Sequence, residues 1–151
     1  MISFETSVRI GRPIEEVFDF VSDPVQFPHW NSAVQSVRKT SGVPGEVGST
    51  YSMERELPAG RAHNELQIIA REHPTGFAIR TTSGPTPFVY RYRFSSERGA
   101  TLVHLDGSVE LGGAAALIAP LAARAVKRGV DDNLAALEHT LVQPNPKGAL
   151  R

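Results

Sequence analysis

A chain of 151 residues with 16 basic and 16 acidic side chains and no cysteine has the size of one domain, able to bury about 70% of its unfolded surface. The lack of cysteine excludes disulfides, thiolate metal sites and cysteine nucleophiles, and the balanced charge offers no global field for nucleic acid or acidic membrane. The opening MISFETSVRI is charged and does not read as a signal peptide. The Ala-rich run at 114–123 is too short to span a bilayer and is followed by Arg124, Lys127 and Arg128, so a cytoplasmic protein without integral membrane association is expected.

Ile2, Phe4, Thr6, Val8 and Ile10 alternate with Ser3, Glu5, Ser7 and Arg9, the pattern of a strand with one wet face. Gly11-Arg12-Pro13 breaks it. Ile14, Val17, Phe18 and Val21 then recur at helical spacing behind Glu15 and Glu16, whose charge suits the positive end of a helix dipole. Asp23-Pro24 ends this helix, because a residue before proline is pushed out of the helical region. Residues 24–30 can form one more turn before Pro28, and they carry the single Trp of the chain, Trp30.

Strand-like alternation fills the next eighty or so residues, with turns at Gly42–Gly48, Pro58-Ala59-Gly60, Pro74-Thr75-Gly76, Ser83–Pro87 and Glu97-Arg98-Gly99. Strands are expected over Val34–Thr40, Ser49–Leu57, Arg61–Glu72, the segment from Phe77 through Thr81, Phe88–Ser95 and Thr101–Leu111. The clearest has Phe88, Tyr90, Tyr92 and Phe94 on one face with Arg91, Arg93 and Ser95 on the other. After Gly112-Gly113 the period changes. Val126, Val130, Leu134, Leu137 and Leu141 form the apolar stripe of a long helix ending near 142, with Pro120 expected to kink or restart it. Residues 1–143 therefore read as one domain and 144–151 as a tail. Each strand has one apolar face, and the long helix is the element large enough to cover the sheet. That helix offers small residues early on, Ala115, Ala116, Ala119, Ala122, Ala123 and Ala125, which suits either close packing on the sheet or a pocket beneath the helix.

The opening strand, then Pro13-Ile14-Glu15-Glu16-Val17-Phe18-Asp19-Phe20-Val21-Ser22-Asp23, then Phe27-Pro28-His29-Trp30 and the long last helix resemble the START-like, helix-grip (SRPBCC) superfamily, in particular its polyketide cyclase/dehydrase-like proteins. The resemblance implies an α+β fold, a seven-stranded curved antiparallel sheet gripping the C-terminal helix with two short helices after the first strand. It also implies a cavity between sheet and helix for a small hydrophobic or aromatic molecule, such as a lipid. Such a fold serves carriers and enzymes alike, so fold does not decide activity.

In that fold the inward positions become candidate ligand contacts: Trp30, Tyr51, Met53, Arg55, Asn64, Leu66, Ile68, Phe77, Ile79, Thr81, Phe88, Tyr90, Tyr92 and Val126. An inward Arg is costly unless it is paired, reaches water or meets an anion. Tyr90, Tyr92 and Arg55 are the candidates for catalysis, the phenols as proton donors or oxyanion stabilisers in a cyclase or dehydratase and Arg55 orienting an acidic substrate. His29 is expected at the surface, with a general-base role as the alternative. The histidines show no metal-ligand spacing, no nucleophile elbow occurs, and the glycines at 42, 45 and 48 precede a strand, so no cofactor or metal is expected. A protein-interaction or chaperone-regulator module is a third functional class open to this chain, and its oligomeric state, monomer or homodimer, is left open.

Overall fold

The structure is a computed structural model describing residues 1–57, 60–112 and 119–142. Its order is β1 (Ile2–Ile10), α1 (Ile14–Val21), a 3-10 helix (Pro24–His29), β2 (Val34–Ser41), β3 (Thr50–Leu57), β4 (Gly60–Glu72), β5 (Gly76–Ser83), β6 (Phe88–Glu97), β7 (Ala100–Val109) and α2 (Ala119–Val142). The strands form one antiparallel sheet in the order β1-β7-β6-β5-β4-β3-β2. Residues 11–33 carry the chain from one edge of that sheet to the other.

Local chemistry accounts for the crossing. Pro13 is extended and sits just before α1, Glu15 and Glu16 occupy the first turn, and Val17, Phe18 and Val21 are buried. Asp23 accepts a hydrogen bond from the Val25 N–H at 3.2 Å, capping the 3-10 helix that Pro24 begins. The expected stop at Pro28 falls within this helix. Phe27 and Trp30 then meet edge to face, 5.7 Å between ring centres, and both are buried.

Register shifts in β2 and β4 mark bulges, including one between Ile68 and Ala70, and bulges bend and twist a sheet. The resulting concave face holds a continuous core from Phe4 and Ile10 through Met53, Ile68 and Tyr92 to Val130, Leu134 and Leu137 of α2. Pro120 is the second residue of the described part of α2; the residues before it, which a kink or restart there would involve, lie outside the described residues. Ala115, Ala116, the turn at Pro58-Ala59 and the tail lie outside the described residues.

Two glycines set close approaches. Gly107 pairs with Phe4 on one side and Tyr90 on the other, and a Cβ there would collide with the Phe4 ring. The bare backbone lets Phe4 reach Tyr90, edge to face at 5.9 Å. Gly84, at φ +99°, brings the β5–β6 turn so close to β4 that a Cβ would run into the His63 carbonyl. Gly107→Ala is expected to lower stability by about 1–3 kcal/mol through overpacking against Phe4. A shift in urea midpoint at unchanged slope would check this; an unchanged midpoint would show that the ring yields freely.

Candidate functional site

A cavity of about 310 Å³ lies between the concave face and α2. Its floor is Met53, Ile79, Phe88, Tyr90, Tyr92 and Val109, one side is Phe27, Trp30 and Val34, and the roof is Val126 and Val130. Ala125, Gly129 and Asn133, each four residues after the last, border it from α2, while Asn31, Ala33, Arg55, Leu57 and Thr86 complete the lining. Residues four apart share a helix face. Ala125 and Gly129 are also exposed, so this stripe forms the rim. Gly129 would meet nothing within 4 Å if it carried a Cβ.

Of the expected contacts, Trp30, Met53, Arg55, Ile79, Phe88, Tyr90, Tyr92 and Val126 line this space. Tyr51, Asn64, Leu66, Ile68, Phe77 and Thr81 do not. Tyr51 is buried with its hydroxyl accepting the Gly45 N–H at 2.9 Å. Leu66, Ile68 and Phe77 are core residues, Phe77 stacking on Tyr92 at 5.8 Å. Thr81 accepts the Phe88 N–H at 3.0 Å and so ties β5 to β6. The inward face thus runs the length of the strands, but only part of it faces the cavity. Near the β4–β5 turn, Phe18 of α1 packs edge to face on Phe94 at 5.2 Å, and Arg71 lies over the Phe18 ring at 5.3 Å. His29 is exposed and does not line the cavity.

Asn64 is fully buried behind Arg55. Arg55 Nε donates to Asn64 Oδ1 at 2.9 Å, and its Nη2 donates to the carbonyls of Pro85 at 2.9 Å and Thr86 at 3.3 Å. Asn64 Nδ2 in turn donates to the carbonyls of Ser83 and Pro85. The guanidinium also lies 5.5 Å from the centre of the Phe88 ring. Desolvation lowers the Arg55 pKa from its ordinary value, with the nearby Tyr90 pulling the other way.

Tyr90 and Tyr92 stand edge to face, 6.5 Å between ring centres. Burial pushes the Tyr90 phenol up to about 12, with Arg55 opposing. Burial raises Tyr92 further, and Tyr90 adds to that rise. Both phenols are therefore neutral donors at physiological pH. Trp30 Nε1 is buried without a hydrogen-bond partner among the described residues. No cluster of three metal-ligating side chains occurs among the described residues. On the outer face His63 sits between Glu54 and Glu65, whose hydrogen bonds raise its pKa, but its two nitrogens point to different carboxylates.

Of the further lining residues, Phe27, Asn31 and Thr86 lie in corners outside any periodic pattern, whereas Leu57 and Val109 continue the inward alternation of Met53 and Leu105. Ala125, Gly129 and Asn133 could have been found as a small and polar stripe beside the apolar one.

The chain belongs to the family described as polyketide cyclase / dehydrase and lipid transport, whose model matches residues 1–142. Solved structures share its fold at low identity. A START superfamily protein from Mycobacterium smegmatis is 14% identical with a TM-score of 0.79, covering 95% of this chain and 99% of that one. A protein from Thermus thermophilus is 15% identical with a TM-score of 0.78, covering 91% and 94%. The di-domain ARO/CYC StfQ from the steffimycin biosynthetic pathway is 12% identical with a TM-score of 0.72; the match covers 91% of this chain and 49% of StfQ. No curated protein matches the sequence. No helix among the described residues is long and apolar enough to cross a membrane.

The Tyr90 phenol gives a pH prediction. Its pKa is 10.0 as a free side chain and about 12 in the fold. Between those values the unfolded chain releases the proton first, so stability falls as pH rises through this window. Tyr90→Phe is expected to flatten that fall, measured as urea midpoint against pH; an unaltered slope would place the loss elsewhere.

Proposed function

We propose that the protein binds a small hydrophobic or aromatic molecule in the space between the sheet and α2. The observation that carries this reading is the cavity of about 310 Å³, lined by apolar and aromatic side chains with few polar groups. That size and composition fit a small-molecule site, for which about 300–1,000 Å³ is usual. Family membership supports it, lipid transport being part of the family's description. The ligand would exchange cavity water for contact with Met53, Ile79, Phe88 and Val126, and burial of apolar area would supply most of the affinity.

Trp30 makes the reading measurable, because the only Trp of the chain lines the cavity. Titration with two neutral probes, phenylnaphthylamine and dodecanol, is expected to change Trp30 emission saturably and to raise the melting temperature. A flat emission and an unmoved melting temperature with both would reject the proposal. Gly129→Leu supplies the complementary test. Replacing a mid-helix glycine is expected to stabilise the free protein by about 0.5–1 kcal/mol, while the new side chain obstructs the rim and weakens probe binding about tenfold or more. Equal binding by the variant would move the ligand site away from α2.

A second reading, a cyclase or dehydratase acting on a polyketide-like substrate, draws support from the phenols. Among the described residues Tyr51 is the tyrosine whose hydroxyl is hydrogen-bonded within the chain, whereas Tyr90 and Tyr92 line the cavity. Held neutral by burial, these two could donate hydrogen bonds to a substrate carbonyl and stabilise an enolate as it forms. In that case Tyr90→Phe would retain binding and lose turnover.

A further inference from the structure

We propose that the bound molecule carries an acidic group, a carboxylate or an equivalent oxyanion, and that this group seats on Arg55. This rests on the small-molecule reading above and names the chemical class of its ligand. Arg55 is the only charged residue lining the cavity among the described residues. Every hydrogen-bond acceptor it meets there is neutral: one amide oxygen and two backbone carbonyls. No carboxylate of the described residues lies within ion-pairing distance of it. A guanidinium has five N–H donors in a flat fork. Nε and Nη2 are engaged by Asn64, Pro85 and Thr86, whereas Nη1 has no partner among the described residues.

The surroundings hold this cation in one place. Gly84 lets the β5–β6 turn close on β4, which aims the Pro85 and Thr86 carbonyls at Arg55. Buried Asn64 bridges the same turn and receives Nε. The Phe88 ring lies against the guanidinium. Folding has therefore already fixed the side chain, so a ligand oxyanion gains the charge-assisted bonds without a further ordering cost. A cation partly removed from water, with neutral neighbours only, gains most from an anion delivered beside it. Neutral Tyr90, close enough to feel the Arg55 charge, could donate to the same oxyanion. The apolar body of the ligand would then lie along Ile79, Tyr92 and Val126.

The test compares acids with their isosteric amides at neutral pH, naphthoate against naphthamide and dodecanoate against dodecanamide, followed by Trp30 emission and calorimetry. At least one acid is expected to bind about tenfold or more tightly than its amide, the scale of a charge-assisted hydrogen bond. Arg55→Met should erase most of that preference with the amide affinity little changed, and Arg55→Lys should retain part of it. If acids and amides bind alike in the native protein, the acidic-ligand inference is overturned and the small-molecule reading stands. If neither acids nor amides bind, and the neutral probes fail as well, both fall. Should Arg55→Met lose the fold, seen as a lost thermal transition, Arg55→Lys and the acid-to-amide ratio of the native protein decide the matter.

Discussion

The seat of α2 on the sheet governs everything else in this molecule. Val130, Leu134 and Leu137 sink into the concave face and are nearly inaccessible to water. Asp131 receives the Thr6 hydroxyl of β1 at 2.5 Å and pairs with Lys127, while Asn133 accepts the Ser32 N–H on the opposite flank at 3.3 Å. With its second half fixed in this way, the first half of the helix must pass over the bent sheet. There it presents Ala125, Val126 and Gly129, which are too small to reach the floor. Leaving that space unfilled forgoes apolar contacts between helix and sheet.

The polar side of the cavity has a similar origin in backbone geometry. Because Gly84 has a left-handed φ, the β5–β6 turn can lie against His63 and Asn64. That contact makes a cradle of carbonyls for Arg55, and Asn64 locks cradle and cation together. The same sheet places Tyr90 beside Arg55 and Tyr92 beyond it, through the alternation of β6 and the bare backbone of Gly107. A container and a catalyst would both be built from these parts. They differ in whether the phenols act on the ligand or only line its berth.

Much of this was legible from sequence, because periodicity reports burial directly. The alternation in β1, β6 and β7 and the four-residue steps of α2 gave the elements, and the Pro13–Asp23 segment with Trp30 pointed to the family. Arg55 was found as an inward charge in an otherwise apolar face. The extent of the cavity was another matter. Tyr51, Leu66, Ile68 and Phe77 share the inward face with true lining residues, and nothing in their own strands says that α1 and the aromatic stack fill that end. Asn64 is inward too, yet its amide is consumed by the turn at Gly84, a long-range contact no local pattern encodes. Corner residues such as Asn31 and Thr86 become visible only when distant segments meet.

The claim beneath the whole account is that the concave face and the first half of α2 are kept apart. Crystallography under xenon pressure addresses it most directly, since an apolar cavity takes up xenon and a packed core does not. The account predicts xenon density among Ile79, Val109 and Val126, with α2 unmoved. Absence of xenon there, together with Val126 packed directly onto Ile79, would contradict it.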